Sequence, residues 1–239
     1  MTGPTPTPDV PTGRWNLAGR RLYLCTPDRP DLAEFVDACI RGGVDIVQLR
    51  EKHLADGDLV GRARIVQRVC AERGVPFVLN DRPDLAADMG ADGVHVGQDD
   101  ASPSEARRVM GEDALVGLST HAPHELDVAL GDAAAGLAAA VDYISAGPVV
   151  PTPTKPGRPG TGLEYVRTAT ARSPWPVWVT GGVVPEAVPA IAGAGARHFV
   201  VVRWLTEAAD PHANARLLRD AVDRALDTDG MVGPEGSTR

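Results

Sequence analysis

The length and composition of this chain restrict both its fold and its partners. Its 239 residues are close to the roughly 250 that one α/β barrel occupies, and only 4% are aromatic against 43% hydrophobic, so Val, Leu, Ile and Ala must form most of the core. The net charge of −8 argues against a nucleic-acid or anionic-membrane surface, although a local pocket can still hold phosphate.

The two ends of the chain have compositions typical of disorder. Residues 1–19 repeat Thr-Pro and contain neither the apolar run of a signal peptide nor the length of a membrane span. Residues 227–239 are equally poor in apolar groups. We therefore predict one domain at 20–226, with a disordered tail on each side.

Eight short apolar runs, rich in β-branched residues, alternate with longer amphipathic segments. The predicted strands are 21–26, 46–50, 77–80, 93–97, 115–120, 142–147, 177–182 and 198–203. Nearly continuous apolar character over so few residues is typical of strands that are buried on both faces. We predict helices in the segments between them.

Similar segments precede every second predicted strand. They are Gly43-Val44-Asp45, Gly90-Ala91-Asp92, Ala140-Val141-Asp142 and Gly195-Ala196-Arg197. This two-strand period indicates four βαβα quarters, so we predict a single (β/α)8 barrel of the TIM type, in the α/β class. An open doubly wound sheet is the alternative, but no G-x-G-x-x-G motif follows the first strand.

The cysteines and histidines show no metal-binding or nucleophile motif. We interpret Cys39 and Cys70 as small buried core residues of a cytoplasmic protein. His95 is expected to be a hydrogen-bonded core residue, and His121 lies where it could approach a substrate.

Cationic residues follow predicted strand 2, at the end of a barrel strand where catalytic groups are found. In the run Gln48-Leu49-Arg50-Glu51-Lys52, the strand period of two directs Gln48 and Arg50 into the barrel mouth. A buried guanidinium is costly unless an anion meets it, and its planar fork suits phosphate oxygens. We therefore predict an anion site at Arg50, with an internal ion pair to Glu51 or Asp81 as the alternative.

Carboxylates follow predicted strands 3 and 4, in the runs Asn80-Asp81 and Gly97-Gln98-Asp99-Asp100. Mg²⁺ prefers one or two carboxylates completed by substrate phosphates and water. Asp81 with Asp100 is therefore a candidate Mg²⁺ pair. Spacing alone allows Asp99 in place of Asp100, and Asp is also favoured at helix starts.

Two further segments are suited to phosphate. The loop after predicted strand 6 is rich in Pro and hydroxyls and contains Thr152, Thr154 and Lys155, as expected of a substrate cover, or simply of a surface loop. Gly181-Gly182 ends strand 7, and backbone N–H groups follow strand 8; this part of a barrel commonly binds phosphate. A tight turn at the glycines is the alternative.

Together these motifs resemble those of the thiamine phosphate synthases over about residues 20–225. In chain order the resemblance rests on Gln48-Leu49-Arg50-Glu51-Lys52, Asn80-Asp81, His95-x-Gly97-Gln98-x-Asp100, Ser119, Pro151-Thr152-x-Thr154-Lys155 and Gly181-Gly182. It implies a transferase that moves a hydroxymethylpyrimidine group from its diphosphate to a thiazole phosphate and releases pyrophosphate, with Mg²⁺ as cofactor.

The resemblance also implies a role for each motif position. The pyrimidine diphosphate would contact Gln48, Leu49, Arg50, Glu51, Lys52, Asn80, Ser119 and Lys155. The thiazole phosphate would contact Thr152, Pro153, Thr154, Gly182, Val202 and Arg203, while Asp81 and Asp100 would hold Mg²⁺. Arg50, Lys52 and Lys155 are the expected catalytic residues, because they would stabilise the departing pyrophosphate. Arg203 departs from the family pattern, in which some relatives carry Ser.

Two other functions are compatible with the same scaffold: a thiazole tautomerase related to the synthases, and a non-catalytic sensor of a phosphorylated ligand. The retained carboxylates and the Thr-x-Thr-Lys run disfavour the tautomerase. In each case the expected partners are small phosphorylated molecules, without nucleic acid or membrane, and the sequence leaves a homo-oligomer open.

Overall fold

The computed structural model describes residues 15–134, 140–151 and 160–229. The strands are β1 (Leu22–Thr26), β2 (Ile46–Leu49), β3 (Phe77–Asn80), β4 (Gly93–Val96), β5 (Leu115–Thr120), β6 (Tyr143–Ala146), β7 (Val177–Thr180) and β8 (His198–Val201). The helices are α1 (Leu32–Arg41), α2 (Asp56–Arg73), α3 (Pro83–Met89), α4 (Pro103–Met110), α5 (Pro123–Ala134), α6 (Gly162–Arg172), α7 (Val188–Gly193), α8 (Arg203–Thr206) and α9 (Pro211–Asp229).

The eight strands close into a parallel barrel. On β1, Tyr23 is the register partner of Ile46 in β2 on one side and of Val200 in β8 on the other. Because the strand order returns to β1, the sheet has no edge. The predicted (β/α)8 barrel is confirmed, and the open doubly wound sheet is excluded.

Five strands end one or two residues earlier than predicted. Arg50, Gly97, Gly147 and Gly182 therefore lie in the loops at the rim, and Arg203 is the first residue of α8. At Gly147 and Gly182 the reason is the backbone, which adopts φ of 143° and 76° and cannot continue an extended strand. The polar residues at these ends thus belong to the loops around the barrel mouth.

The repeated aspartates serve the opposite face of the barrel. Asp45 Oδ2 accepts a hydrogen bond from the Leu22 N–H at 3.0 Å, while Asp92 and Asp142 accept from N–H groups at the start of β3 and β5, at 3.0 and 2.6 Å. At the fourth position of the repeat, Arg197 has no acceptor oxygen and donates to backbone carbonyls instead. The repeat therefore satisfies buried backbone donors at the amino-terminal ends of the strands.

Side chains alternate between two cores. Leu22 and Leu24 pack in the layer between strands and helices, whereas Tyr23 points into the barrel. Inside, Tyr23 meets Trp178 edge to face, with ring centroids 5.3 Å apart. Aromatic rings thus fill the barrel interior below its carboxyl-terminal opening.

The described chain extends beyond the predicted domain at both ends. Leu17 is buried in the barrel interior, and Trp15 Nε1 donates to Asp92 Oδ1 at 3.1 Å, so residues 15–19 pack against the barrel rather than belonging to a tail. At the other end α9 continues to Asp229. The remaining tail residues, 1–14 and 230–239, lie outside the described residues.

Cys39 and Cys70 are fully buried, which confirms their interpretation as core residues. Burial raises the pKa of the Cys39 thiol to about 12. Among the described helices, none is both long enough and apolar enough to cross a membrane.

Candidate active site

A cavity of about 350 Å³ opens at the carboxyl-terminal ends of the strands, a volume typical of small-molecule sites. The predicted site residues that line it are Gln48, Arg50, Lys52, Asn80, Asp81, Asp100, Ser119, Gly182, Val202 and Arg203. They follow or end six different strands, so closure of the barrel is what brings them together.

Two of the other predicted positions, Leu49 and Glu51, are described by the structure and do not line this cavity. Leu49 is fully buried in the layer between strands and helices, because strand alternation turns it away from Gln48. The Glu51 carboxylate turns back on its own loop and accepts from the Lys52 and His53 N–H groups at 2.8 and 3.1 Å. The structure therefore does not bring these two side chains to the site. Thr152, Pro153, Thr154 and Lys155 lie outside the described residues.

Two cationic side chains from the loop after β2, Arg50 and Lys52, line the cavity, and they differ in whether a described carboxylate pairs with them. Lys52 Nζ pairs with Asp81 Oδ2 at 2.8 Å. The Arg50 guanidinium makes no hydrogen bond or ion pair with any described residue, so the alternative of an internal ion pair to Glu51 or Asp81 is wrong. A half-buried guanidinium without a partner is available to an anionic ligand.

Two carboxylates meet at the ends of β3 and β4. Gly97 N–H donates to Asp100 Oδ2 at 2.8 Å, and this holds the Asp100 side chain toward the barrel. Burial, together with the contact with the Asp81 carboxylate, raises the pKa of Asp100. Of the two residues that spacing allowed, Asp100 is therefore the one beside Asp81.

Helix capping does not account for this pair. Ser102 caps α4 by accepting from the Glu105 N–H at 3.2 Å, and the residue at the start of α3 is Arg82. Asp81 itself has a φ of 64°, a left-handed conformation that is uncommon outside glycine and that occurs often at functional sites. The backbone is thus strained at the residue whose carboxylate faces the cavity.

The side-chain amide nitrogen of Asn80 donates to no described residue. This nitrogen, Nδ2, is buried. Buried amide groups normally have a hydrogen-bond partner, so a ligand in this cavity would find a donor at Asn80.

The opposite wall of the cavity contains backbone suited to an anion. Gly181 and Gly182 have φ values of 89° and 76°, a backbone conformation that residues with a Cβ rarely adopt. After the neighbouring strand β8, α8 starts at Arg203, so the first backbone N–H groups of this helix have no acceptor within it. Val202 is half-buried, and the Arg203 side chain is exposed at the rim.

Both histidines behave as expected. His95 is buried, with Nε2 2.9 Å from Ser119 Oγ and Nδ1 3.2 Å from Tyr143 OH. His121 lines the cavity, and its Nδ1 lies 2.9 Å from Glu125 Oε2. These contacts confirm that His95 is a hydrogen-bonded core residue and that His121 stands beside the cavity.

Comparison with known proteins identifies the family. The profile described as "Thiamine monophosphate synthase" matches residues 22–205. This chain belongs to the thiamine monophosphate synthase family. It is 44% identical to a thiamine-phosphate synthase of Mycobacterium leprae, over 84% of this chain and 90% of that one. With a thiamine-phosphate synthase of Thermobifida fusca the identity is 45%, over 87% and 94% of the two chains.

A solved structure supports the same assignment. The thiamine phosphate pyrophosphorylase of Pyrococcus furiosus superposes with a TM-score of 0.75 at 26% identity, covering 86% of this chain and 96% of that one. The predicted family and the enzyme class, a thiamine-phosphate synthase transferase, are therefore confirmed.

Sequence reasoning missed the floor of this thiamine monophosphate synthase cavity. Tyr23, Cys25, Tyr143 and Ser145 line it together with the predicted residues. Tyr23 and Cys25 lie two positions apart on β1, and Tyr143 and Ser145 lie two positions apart on β6. In a closed barrel this spacing places both members of a pair on the same face of the strand, which could have identified them as inward-facing. In the sequence they belong to nearly continuous apolar runs, which do not distinguish an inward face from an outward one.

Proposed function

We propose that this chain catalyses the Mg²⁺-dependent transfer of the hydroxymethylpyrimidine group from its diphosphate to a thiazole phosphate, giving thiamine phosphate and pyrophosphate. The observation that carries the proposal is the convergence of Arg50, Lys52, Asp81 and Asp100 on one cavity. Cations beside a carboxylate pair suit a metal-bound diphosphate, because the carboxylates would bind the metal ion and the cations would bind the diphosphate oxygens.

The carboxylate pair fits Mg²⁺. Asp81 and Asp100 supply oxygen ligands only, and burial together with the contact between the two carboxylates raises the pKa of Asp100. Two carboxylates are also what Mg²⁺ takes from protein when phosphates and water complete its shell. When bound, the ion would neutralise charge on the diphosphate as it leaves.

The chemistry requires little acid–base catalysis from the chain. The pyrimidine amino group donates electrons toward the exocyclic methylene carbon, so the bond from this carbon to the diphosphate oxygen breaks and the oxygen keeps the electron pair. The thiazole nitrogen then forms the new C–N bond with its lone pair. Arg50 and Lys52 would stabilise the charge that develops on the leaving pyrophosphate. Lys155 is proposed for the same role by its motif position.

The remaining contacts place the two substrates. Asn80 Nδ2, which has no acceptor in the described part of the chain, and the Gln48 amide would bind the pyrimidine ring, and Ser119 would bind its diphosphate. The glycine turn at Gly182 and the start of α8 at Val202 and Arg203 would bind the thiazole phosphate, which Thr152, Pro153 and Thr154 would cover. Leu49 and Glu51 would contribute through their backbone.

The decisive test is pyrophosphate release when the purified chain is mixed with both precursors and Mg²⁺. We expect release that requires both substrates and stops when a chelator removes the metal. A thiazole tautomerase would convert the thiazole phosphate alone and release no pyrophosphate, and a sensor would bind without turnover. Absence of pyrophosphate under these conditions would refute the proposal.

Two properties remain predictions. A cytoplasmic location and a homo-oligomer are compatible with the chain, and size-exclusion chromatography with light scattering would measure the second directly.

A further inference from the structure

A continuous series of polar contacts crosses the barrel interior beneath the cavity. Cys25 Sγ donates to Gln48 Oε1 at 3.0 Å, and Gln48 Nε2 donates to Tyr23 OH at 3.1 Å. Tyr23 OH lies 3.0 Å from Tyr143 OH, which lies 3.2 Å from His95 Nδ1. The series ends at Ser119 Oγ, 2.9 Å from His95 Nε2. It connects two residues proposed to bind opposite parts of one substrate, Gln48 and Ser119.

The series is buried and closely packed. All of its members are less than 10% exposed, which strengthens these hydrogen bonds relative to bonds at the surface. Gly117 makes the crossing possible, because a Cβ there would approach Tyr143 Cζ and His95 Nδ1 to 2.2 and 2.4 Å. A bare backbone at this position is what allows the tyrosine hydroxyl and the imidazole to meet.

The direction of donation follows from the Gln48 amide. Its Nε2 can only donate, so the Tyr23 oxygen accepts there, and the acceptor that the described residues offer to the Tyr23 O–H is the Tyr143 oxygen. Tyr143 then donates to His95 Nδ1, which makes Nδ1 the unprotonated nitrogen of a neutral imidazole. Burial raises the pKa of both tyrosines, so each hydroxyl keeps its single proton.

The last contact orients Ser119. His95 Nε2–H donates to Ser119 Oγ, and Ser145 Oγ donates to the same atom at 3.5 Å. Both lone pairs of the hydroxyl are then engaged, and no described residue accepts its proton in this arrangement. Since Ser119 lines the cavity, that proton is available to a ligand.

We propose that His95 and Tyr143 are positioning residues, which hold the Ser119 hydroxyl as a hydrogen-bond donor toward the diphosphate. The role of the diphosphate rests on the proposed function, whereas the protonation state of His95 does not. The opposite direction of the series would put the proton on His95 Nδ1 and commit the Ser119 proton to Nε2. Only lone pairs would then face a diphosphate, which can only accept.

The protonation state can be measured on the unaltered chain. Ring ¹⁵N chemical shifts of ¹⁵N-histidine-labelled protein distinguish a protonated from an unprotonated nitrogen, and the His95 signals are those lost in His95→Gln and shifted in Ser119→Ala. We expect a protonated Nε2 and an unprotonated Nδ1. A protonated Nδ1, alone or together with Nε2, would overturn the proposal even if the chain releases pyrophosphate.

A double-mutant cycle tests whether Tyr143 acts through Ser119. We expect Ser119→Ala to lower kcat/KM for the pyrimidine diphosphate by about tenfold or more, since it removes a hydrogen bond to a charged group. Tyr143→Phe should lower it about five- to tenfold on its own, and should have no further effect in the Ser119→Ala background. If the fold losses of the two single variants instead multiply in the double variant, Tyr143 has a purely structural role and the inference is refuted.

Tyr165→Phe is the matched control. It also removes one buried tyrosine hydroxyl, but from α6 outside the cavity, and it should keep wild-type kcat/KM. The two proposals can fail separately. If the unaltered chain releases no pyrophosphate, the proposed function is refuted, but the His95 ¹⁵N signals still report the protonation state of the imidazole.

Discussion

Arg50→Ala should separate activity from stability. The Arg50 guanidinium lines the cavity and has no hydrogen bond or ion pair with any described residue, so its removal breaks no bond within the described chain. We expect the free energy of unfolding to change by less than about 0.5 kcal/mol. A ligand diphosphate, by contrast, would lose two parallel charge-assisted hydrogen bonds.

The magnitude follows from that pair of bonds. At about 1.5 to 2 kcal/mol each, they contribute about 3 to 4 kcal/mol, which corresponds to about a 100- to 1000-fold loss in kcat/KM for the pyrimidine diphosphate. Arg50→Lys keeps the charge but not the planar fork, so it should lose about tenfold. KM for the thiazole phosphate should change little in either variant.

The assay combines initial rates of pyrophosphate release with urea unfolding of the same preparations. Arg167→Ala is the matched control, since Arg167 is exposed on α6 and pairs only weakly with Glu164, at 3.3 Å. A kcat/KM for Arg50→Ala within about threefold of wild type would refute the reasoning. So would an unfolding loss above about 2 kcal/mol, because it would reveal an internal partner.

Two predictions concern stability. Asp142→Ala should lower the free energy of unfolding by about 3 kcal/mol in urea titrations, since it leaves the buried Arg107 without its carboxylate partner at 2.5 Å. The control is Glu164→Ala, which removes an exposed ion pair and should lower the free energy of unfolding by less than about 0.5 kcal/mol. Equal losses in the two variants would contradict this prediction. Burial lowers the pKa of His198 to about 4, so the unfolded chain binds more protons between pH 6.5 and about 4, and stability should fall as the pH decreases through that window. Replacing His198 with Gln should flatten this slope in pH-dependent urea unfolding, and an unchanged slope would contradict the cause.

Local patterns predicted the architecture and most of the cavity. Strand alternation and the position of each polar run after a strand depend on neighbours in the chain, so Gln48 and Arg50 could be directed to the barrel mouth in advance. The repeat at Asp45, Asp92 and Asp142 correctly indicated the barrel, although its physical cause, a carboxylate beneath the start of a strand, became visible only in the structure.

Contacts between distant residues could not be predicted in the same way. Whether Asp99 or Asp100 meets Asp81, and whether Lys52 or Arg50 forms the ion pair, depends on loop backbone such as the left-handed Asp81. No periodicity encodes those conformations. The tail boundary at residue 19 was wrong for a similar reason, because the burial of Leu17 depends on the open end of a barrel that local composition does not describe.

The sequence by itself thus determined the order of strands and helices, the barrel, the family resemblance, and which positions stand at the rim. Tertiary structure alone decided that Arg50 has no partner among the described residues. It also decided the interior contacts from Tyr23 through Tyr143 to His95, which join residues 48 to 120 positions apart. The physical reason is that side-chain direction within a strand is local, whereas the register around a closed barrel is a property of all eight strands together.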